Sequence, residues 1–231
     1  MLEALGLGLW VGPSPDDAEA AWPAVPEGSI GGPVPSRVEG SAPVAGAGAE
    51  AATRCATCPG RMVPIEPRGA ASPAWLVVGG VPEPEDVSSG RAFAGAPGEL
   101  LQRMLAAIGL PSGDAPGGAG LMLAVRCAPA EGRVPGPEQL AACSVALRAE
   151  VERLRPRVVL ALGRTAARAL LGADDAVGRR RGTVQRIGAT PVVVTHELPY
   201  LLRHPEAKRE AWDDLCLARE VAVGSSAPPA H

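Results

Sequence analysis

Arg157-Val158-Val159-Leu160-Ala161-Leu162-Gly163-Arg164-Thr165-Ala166-Ala167-Arg168-Ala169-Leu170-Leu171 decides the fold of this chain. Five consecutive apolar residues, too few for a helix and rich in Val, read as a strand covered on both faces. Gly163 then turns the chain, and Thr165 to Leu171 follows with helical spacing. The same alternation repeats outward. Trp75–Val78 is a short apolar run ending in Gly79-Gly80, and Gly98–Ile108 carries Leu100, Leu101, Met104, Leu105 and Ile108 at helical spacing. Leu121–Val125 is a second strand running into Arg126-Cys127. Pro137 opens a helix whose inward face is Leu140, Cys143, Leu147, Val151 and Leu154, and Pro156 ends it. Pro191–Thr195 is a fourth strand. A last helix is expected over Pro205–Val221, with Trp212, Leu215 and Cys216 on one side. Strands alternating with helices predict an α/β fold, a three-layer α/β/α arrangement with a mostly parallel four-stranded central sheet. Ligands of such sheets sit beyond the carboxyl ends of strands, which here means Gly79, Cys127, Gly163 and His196.

The 231 residues suffice for one full domain with extras. Residues 1–11 form an apolar peptide anchored by Leu2, Leu5, Leu9 and Trp10. Residues 12–53 are rich in Pro, Gly and Ala, too poor in large apolar side chains to build a core, and read as a flexible linker. Residues 54–221 form the folded domain and residues 222–231 a disordered tail. The net charge of −3 splits unevenly: −6 lies in residues 1–53 and +3 in the remainder, where Lys208 is the only lysine. Arginine suits phosphate contacts, so the balance permits nucleic-acid binding without demanding it. Arg179-Arg180-Arg181 is either a solvated loop or a phosphate contact. No stretch is long and apolar enough to span a membrane, and no early basic residue precedes an apolar run as in a signal peptide. A cytoplasmic location is expected.

Five cysteines favour metal ligation over a disulfide framework. Cys55-Ala56-Thr57-Cys58 can bite one metal centre, and Cys127 and Cys143 complete a four-sulfur set. Four thiolates suit a tetrahedral zinc or an iron–sulfur cluster, and spacing does not separate the two. Cys216 falls on helix-packing spacing and reads as core.

From Cys55 to about Glu220 the chain resembles the iron–sulfur uracil-DNA glycosylases of families 4 and 5. The resemblance rests on several runs in order. Gly90-Arg91-Ala92-Phe93-Ala94-Gly95-Ala96-Pro97-Gly98-Glu99-Leu100-Leu101 is similar to the family's G-R-P-F-V-G-x-A-G-x-L-L. Arg126-Cys127-Ala128-Pro129, with Arg133 and Pro135, resembles its K-C-R-P-P-x-x-R-x-P. Arg157–Gly163 matches a strand motif, and Tyr200-Leu201-Leu202-Arg203 with Pro205, Lys208 and Trp212 matches the last segment. The resemblance implies DNA repair, DNA as partner, and a [4Fe–4S] cluster held by Cys55, Cys58, Cys127 and Cys143. It also implies a base pocket from Gly79, Gly80, Pro82, Phe93 and Leu123, with Phe93 as the stacking ring.

The chain departs from the family at the positions of chemistry. Excision needs groups that read the base edge and stabilise the departing base and attacking water. Gly80 stands where the family has an acid, Leu123 where it has the asparagine that reads uracil, and Glu197 where it has a histidine. Replacement candidates are His196, one residue off, with Glu83, Glu85 or Asp86; the plainer reading of those acids is a solvated loop. Nothing replaces the lost contact at Leu123. The expectation is a [4Fe–4S]-containing glycosylase-family protein of base excision, acting on uracil or a related lesion, with its chemistry lost or altered. The alternative is an inactive adaptor in DNA replication. Residues 1–11, with a Leu-x-x-Leu-Gly-x-x-x-Trp pattern, resemble the segment by which the psi subunit of DNA polymerase III docks on the clamp loader. Leu5 and Trp10 would then contact that replication protein.

Overall fold

The structure, a computed structural model, describes residues 64–111, 117–127, 135–172 and 177–224. Its sheet has six strands: β1 (Arg68–Gly69), β2 (Trp75–Gly79), β3 (Gly120–Leu123), β4 (Val158–Leu162), β5 (Val184–Ile187) and β6 (Thr190–Thr195). They lie in the order β1-β3-β2-β4-β6-β5. The four expected strands form the parallel centre, with Leu76 beside Gly120 and Val159, and Leu160 beside Val193. The expectation of four strands is corrected to six. β1 and β5 close the two edges and run antiparallel to their neighbours.

The helices are α1 (Pro84–Ser89), α2 (Gly95–Ala107), α3 (Pro137–Leu154), α4 (Gly163–Leu171), α5 (Val177–Arg180), α6 (Leu198–Arg203) and α7 (Lys208–Gly224). A 3-10 turn over Pro205–Ala207 leads into α7, which continues past the expected end at Val221. The sheet sorts its side chains by the strand period of two. Trp75, Val77, Leu121, Leu123, Val158, Leu160 and Val193 pack with Leu101 and Leu105 of α2 and Leu215 and Ala218 of α7. Leu76, Val78, Met122, Val159, Ala161, Val192 and Val194 pack with Leu140, Leu147 and Val151 of α3 and Ala166 and Leu170 of α4. The result is the expected three-layer α/β/α arrangement.

Two side-chain expectations on α7 fail. Trp212 is exposed, because the inward stripe of that helix is Ala211, Leu215, Ala218 and Ala222. Cys216 is half-buried rather than core. Among the described residues, no helix is long and apolar enough to cross a membrane.

This topology decides where a ligand fits. The chain leaves β2 toward the α2 face and leaves the adjacent β4 toward the α4 face. Outgoing connections that diverge at neighbouring parallel strands open a crevice beyond their carboxyl ends.

Candidate active site

That crevice is a cleft of about 260 Å³. Gly79, Gly80, Val81 and Glu83 come from the turn after β2, Asp86 from α1, Phe93 and Pro97 from the approach to α2 and its start, and Leu123 from the end of β3. Leu162 and Thr165 contribute from β4 and α4, and Glu197, Leu198 and Pro199 from the turn after β6 and the start of α6. At this size the cleft falls just below the roughly 300–1,000 Å³ of drug-sized pockets, which suits something as small as one nucleobase.

The floor is built by register. Gly79 pairs with Leu123 across β2 and β3. A Cβ on Gly79 would meet the Leu123 side chain at 2.8 Å and the Phe93 ring at 2.9 Å, so only glycine lets both reach the cleft. Leu123 is 3% exposed and spends its side chain on this apolar floor. Gly80 points its missing side chain at Thr165. Pro82 is not among the lining residues.

Phe93 reaches the floor by an unusual backbone. Its φ of 57° lies in the left-handed region, which costs a bulky residue about 1–3 kcal/mol and persists only where neighbours impose it. Asp86 imposes it. Its carboxylate accepts the Ala94 N–H at 2.7 Å and the Glu83 N–H at 3.0 Å, tying both ends of the segment that carries the ring. Asp86 is only 2% exposed, so it is a buried brace, and a solvated loop does not describe it. The Ala94 bond spans eight residues, a distance no local motif announces.

Glu83 also lines the cleft and is half-buried, whereas Glu85 is exposed. Burial pushes the Glu83 carboxyl above its ordinary value of 4.5, and Asp86, Glu197 and Glu85 add to the rise against an opposing pull from Arg203.

His196 and Glu197 part company at the end of β6. Successive side chains of extended backbone point to opposite sides, and Glu197, with φ −69° and ψ 145°, continues that alternation. Glu197 therefore faces the cleft and lies over Gly163, whose φ of 83° and missing Cβ leave room for it. His196 points away from the cleft. Its Nε2 lies 2.8 Å from Glu210, its ring stacks on Tyr200 at 5.0 Å, and Tyr200 stacks in turn on His204 at 4.3 Å. The hydrogen bond from His196, with Arg181 nearby, holds the Glu210 carboxyl below its ordinary range.

Arg181 is committed as well. It pairs with Asp214 at 2.7 Å and Glu210 at 2.6 Å, while Gly182 N–H donates to Asp214 at 3.1 Å. With Arg181 14% exposed and Asp214 1% exposed, this is an internal brace from α5 to α7, and the phosphate-contact reading does not hold for Arg181. Arg179 is exposed.

Cys127 follows β3 and Cys143 lies on the inward side of α3 against the α4-facing core; both are half-buried. Cys55, Cys58, Leu5 and Trp10 lie outside the described residues. The chain that follows Cys58 is nonetheless fastened beside Cys127. Ile65 N–H donates to the Arg126 carbonyl at 2.7 Å, Arg126 Nε donates to the Ile65 carbonyl at 3.0 Å, and Arg126 pairs with Glu66 at 2.8 Å. Ile65 lies seven positions after Cys58, and such a segment spans at most about 25 Å. Cys127 and Cys143 are donors of the kind a four-thiolate centre takes. Among the described residues alone, no group of three or more metal-ligating side chains gathers.

Comparison with known proteins agrees with this geometry. The model of the uracil DNA glycosylase superfamily matches residues 66–216. The type-4 uracil-DNA glycosylase of Thermotoga maritima is 31% identical over 173 residues, covering 72% of this chain and 88% of the relative. The type-4 uracil-DNA glycosylase of Pyrobaculum aerophilum is 31% identical over 153 residues, covering 62% and 74%. A type-5 uracil-DNA glycosylase of the same organism is 40% identical over 79 residues, covering 33% and 34%.

Proposed function

The chain belongs to the uracil-DNA glycosylase superfamily, and from that premise we propose that it is a DNA-repair protein whose cleft receives an extruded base without excising uracil. The observation that carries this reading is the lining of the cleft. Leu123 closes the wall where the family resemblance calls for the uracil-reading amide. Uracil presents two carbonyls and one N–H, and a buried carbonyl left without a donor loses about 1–3 kcal/mol. The acidic side chains that remain are Glu83, Asp86 and Glu197. Asp86 spends both oxygens on backbone N–H groups. The histidine beside the site is turned toward Glu210. Phe93 retains a stacking surface for a base, which supports binding.

Cys55, Cys58, Cys127 and Cys143 are the proposed ligands of a [4Fe–4S] cluster. A cluster bound there would tie the N-terminal side of the domain to the chain after β3 and to α3. Ile65 and Arg126 hold the two strands of chain in place for it. Residues 1–11 remain a proposed docking peptide for a replication protein, through Leu5 and Trp10.

The test is a glycosylase assay on anaerobically purified protein with its iron content measured, using single- and double-stranded DNA containing uracil. The expected result is DNA binding with no release of uracil, and iron that falls in Cys127→Ser and Cys143→Ser. Uracil release that disappears in Phe93→Ala would overturn the cleft reading. Stoichiometric zinc in place of iron would overturn the cluster.

A further inference from the structure

We infer that the cleft selects a base whose edge presents adjacent N–H donors, guanine being the fullest match, through the carboxylates of Glu83 and Glu197. This rests on the reading that a base enters the cleft. Both side chains line the same cavity as the Phe93 ring, one from the β2 turn and one from the β6 turn. They come close enough for Glu197 to raise the Glu83 carboxyl.

The argument is one of donors and acceptors. An ionised carboxylate only accepts hydrogen bonds, and two lone-pair-bearing oxygens side by side match two parallel N–H groups. Guanine offers that pair in its ring N–H and neighbouring amino group. Adenine and cytosine offer an amino group beside an acceptor nitrogen, a partial match. Uracil places a carbonyl on each side of its single N–H, so a carboxylate that takes the N–H meets a carbonyl with its second oxygen.

The other lining groups leave this preference standing. Asp86 is held by two backbone N–H groups, and Leu123, Leu162, Leu198, Pro97 and Phe93 supply apolar surface. Thr165 can donate or accept and does not discriminate. The charged groups that face Glu83 are Asp86, Glu85, Glu197 and Arg203. Burial and three of these acids favour its neutral, donating form, so the selection sharpens as pH rises through the raised Glu83 pKa.

The test uses fluorescently labelled single strands carrying one base, guanine or uracil, flanked on both sides by abasic spacers. A fully abasic strand of the same length serves as the reference. Binding to the wild-type chain is measured by anisotropy at mildly alkaline pH beside the double variant Glu83→Gln, Glu197→Gln, which keeps side-chain size and supplies N–H donors. Guanine is expected to bind at least about tenfold more tightly than uracil, and the double variant to narrow or reverse that ratio. Uracil bound as tightly as guanine by the wild type overturns the inference, as does a ratio unmoved in the double variant. An abasic strand bound as tightly as either base-bearing strand means that no base enters, and then the underlying reading of the cleft fails with it.

Discussion

Replacing Asp86 tests whether the cleft is held from beneath. Its carboxylate accepts two backbone N–H bonds, at 2.7 and 3.0 Å, from a site that is 2% exposed. Hydrogen bonds to an ionised group contribute about 1.5–3 kcal/mol each, so the pair is worth about 3–6 kcal/mol. Water admitted by Asp86→Ala recovers a little, leaving a loss of about 3–5 kcal/mol, a large part of a domain's usual 5–15 kcal/mol. For a domain of this size each kcal/mol moves the melting point by about 2–4 °C, so Tm should fall by about 6–20 °C. Asp86→Asn keeps the volume but turns an amide N–H₂ toward one of the two donors, so it should lose at least half as much. The assay is thermal and urea unfolding followed by circular dichroism, with the urea slope compared to confirm that the unfolded state is unchanged. An Asp86→Ala protein that melts within about 2 °C of wild type would refute the bracing role, since such a shift corresponds to under about 1 kcal/mol.

Glu83 gives a prediction with a definite sign. Its carboxyl is raised above 4.5 in the folded chain, so its contribution to stability is full below that value and is lost as pH rises through the folded pKa. Glu83→Gln should therefore melt higher than wild type at neutral pH and the advantage should vanish in acid; a variant less stable than wild type at neutral pH contradicts this. Asp214→Ala removes the acceptor for Arg181 and Gly182 at a 1% exposed position. Breaking a buried pair costs about 3–5 kcal/mol, with the lower figure expected because Glu210 still holds Arg181; a melting point that does not move would show the brace to be idle.

How much of this could be read from the sequence followed the strength of the burial signal. The four central strands were legible because burial on both faces writes them as unbroken apolar runs. β1 has two residues, and β5 alternates between exposed and half-buried side chains around Gln185 and Arg186, so neither carries such a run. α6 was missed because Leu198–Arg203 reads more readily as a motif than as six residues with two buried leucines. Trp212 misled by size: its neighbour Ala211 holds the inward position. In the cleft, the family-like runs located Gly79, Gly80, Phe93 and Leu123. The choice between His196 and Glu197 was not legible, since it depends on the phase in which β6 ends. Asp86 was named from the sequence as a candidate acid, but its bracing role stayed hidden for another reason. Its partners are backbone groups, which no residue identity reveals.

The two margins of the sheet have a consequence for the molecule in company. An open strand edge is a template on which another molecule can add a strand, and long, flat, apolar edges invite it. On one side this sheet stops at Arg68–Gly69, only two residues long. On the other it stops at Val184–Ile187, a short strand with Arg186 exposed and a turn immediately after it. Among the described residues, neither border offers an incoming chain more than a foothold, so the apolar parallel centre stays shut in.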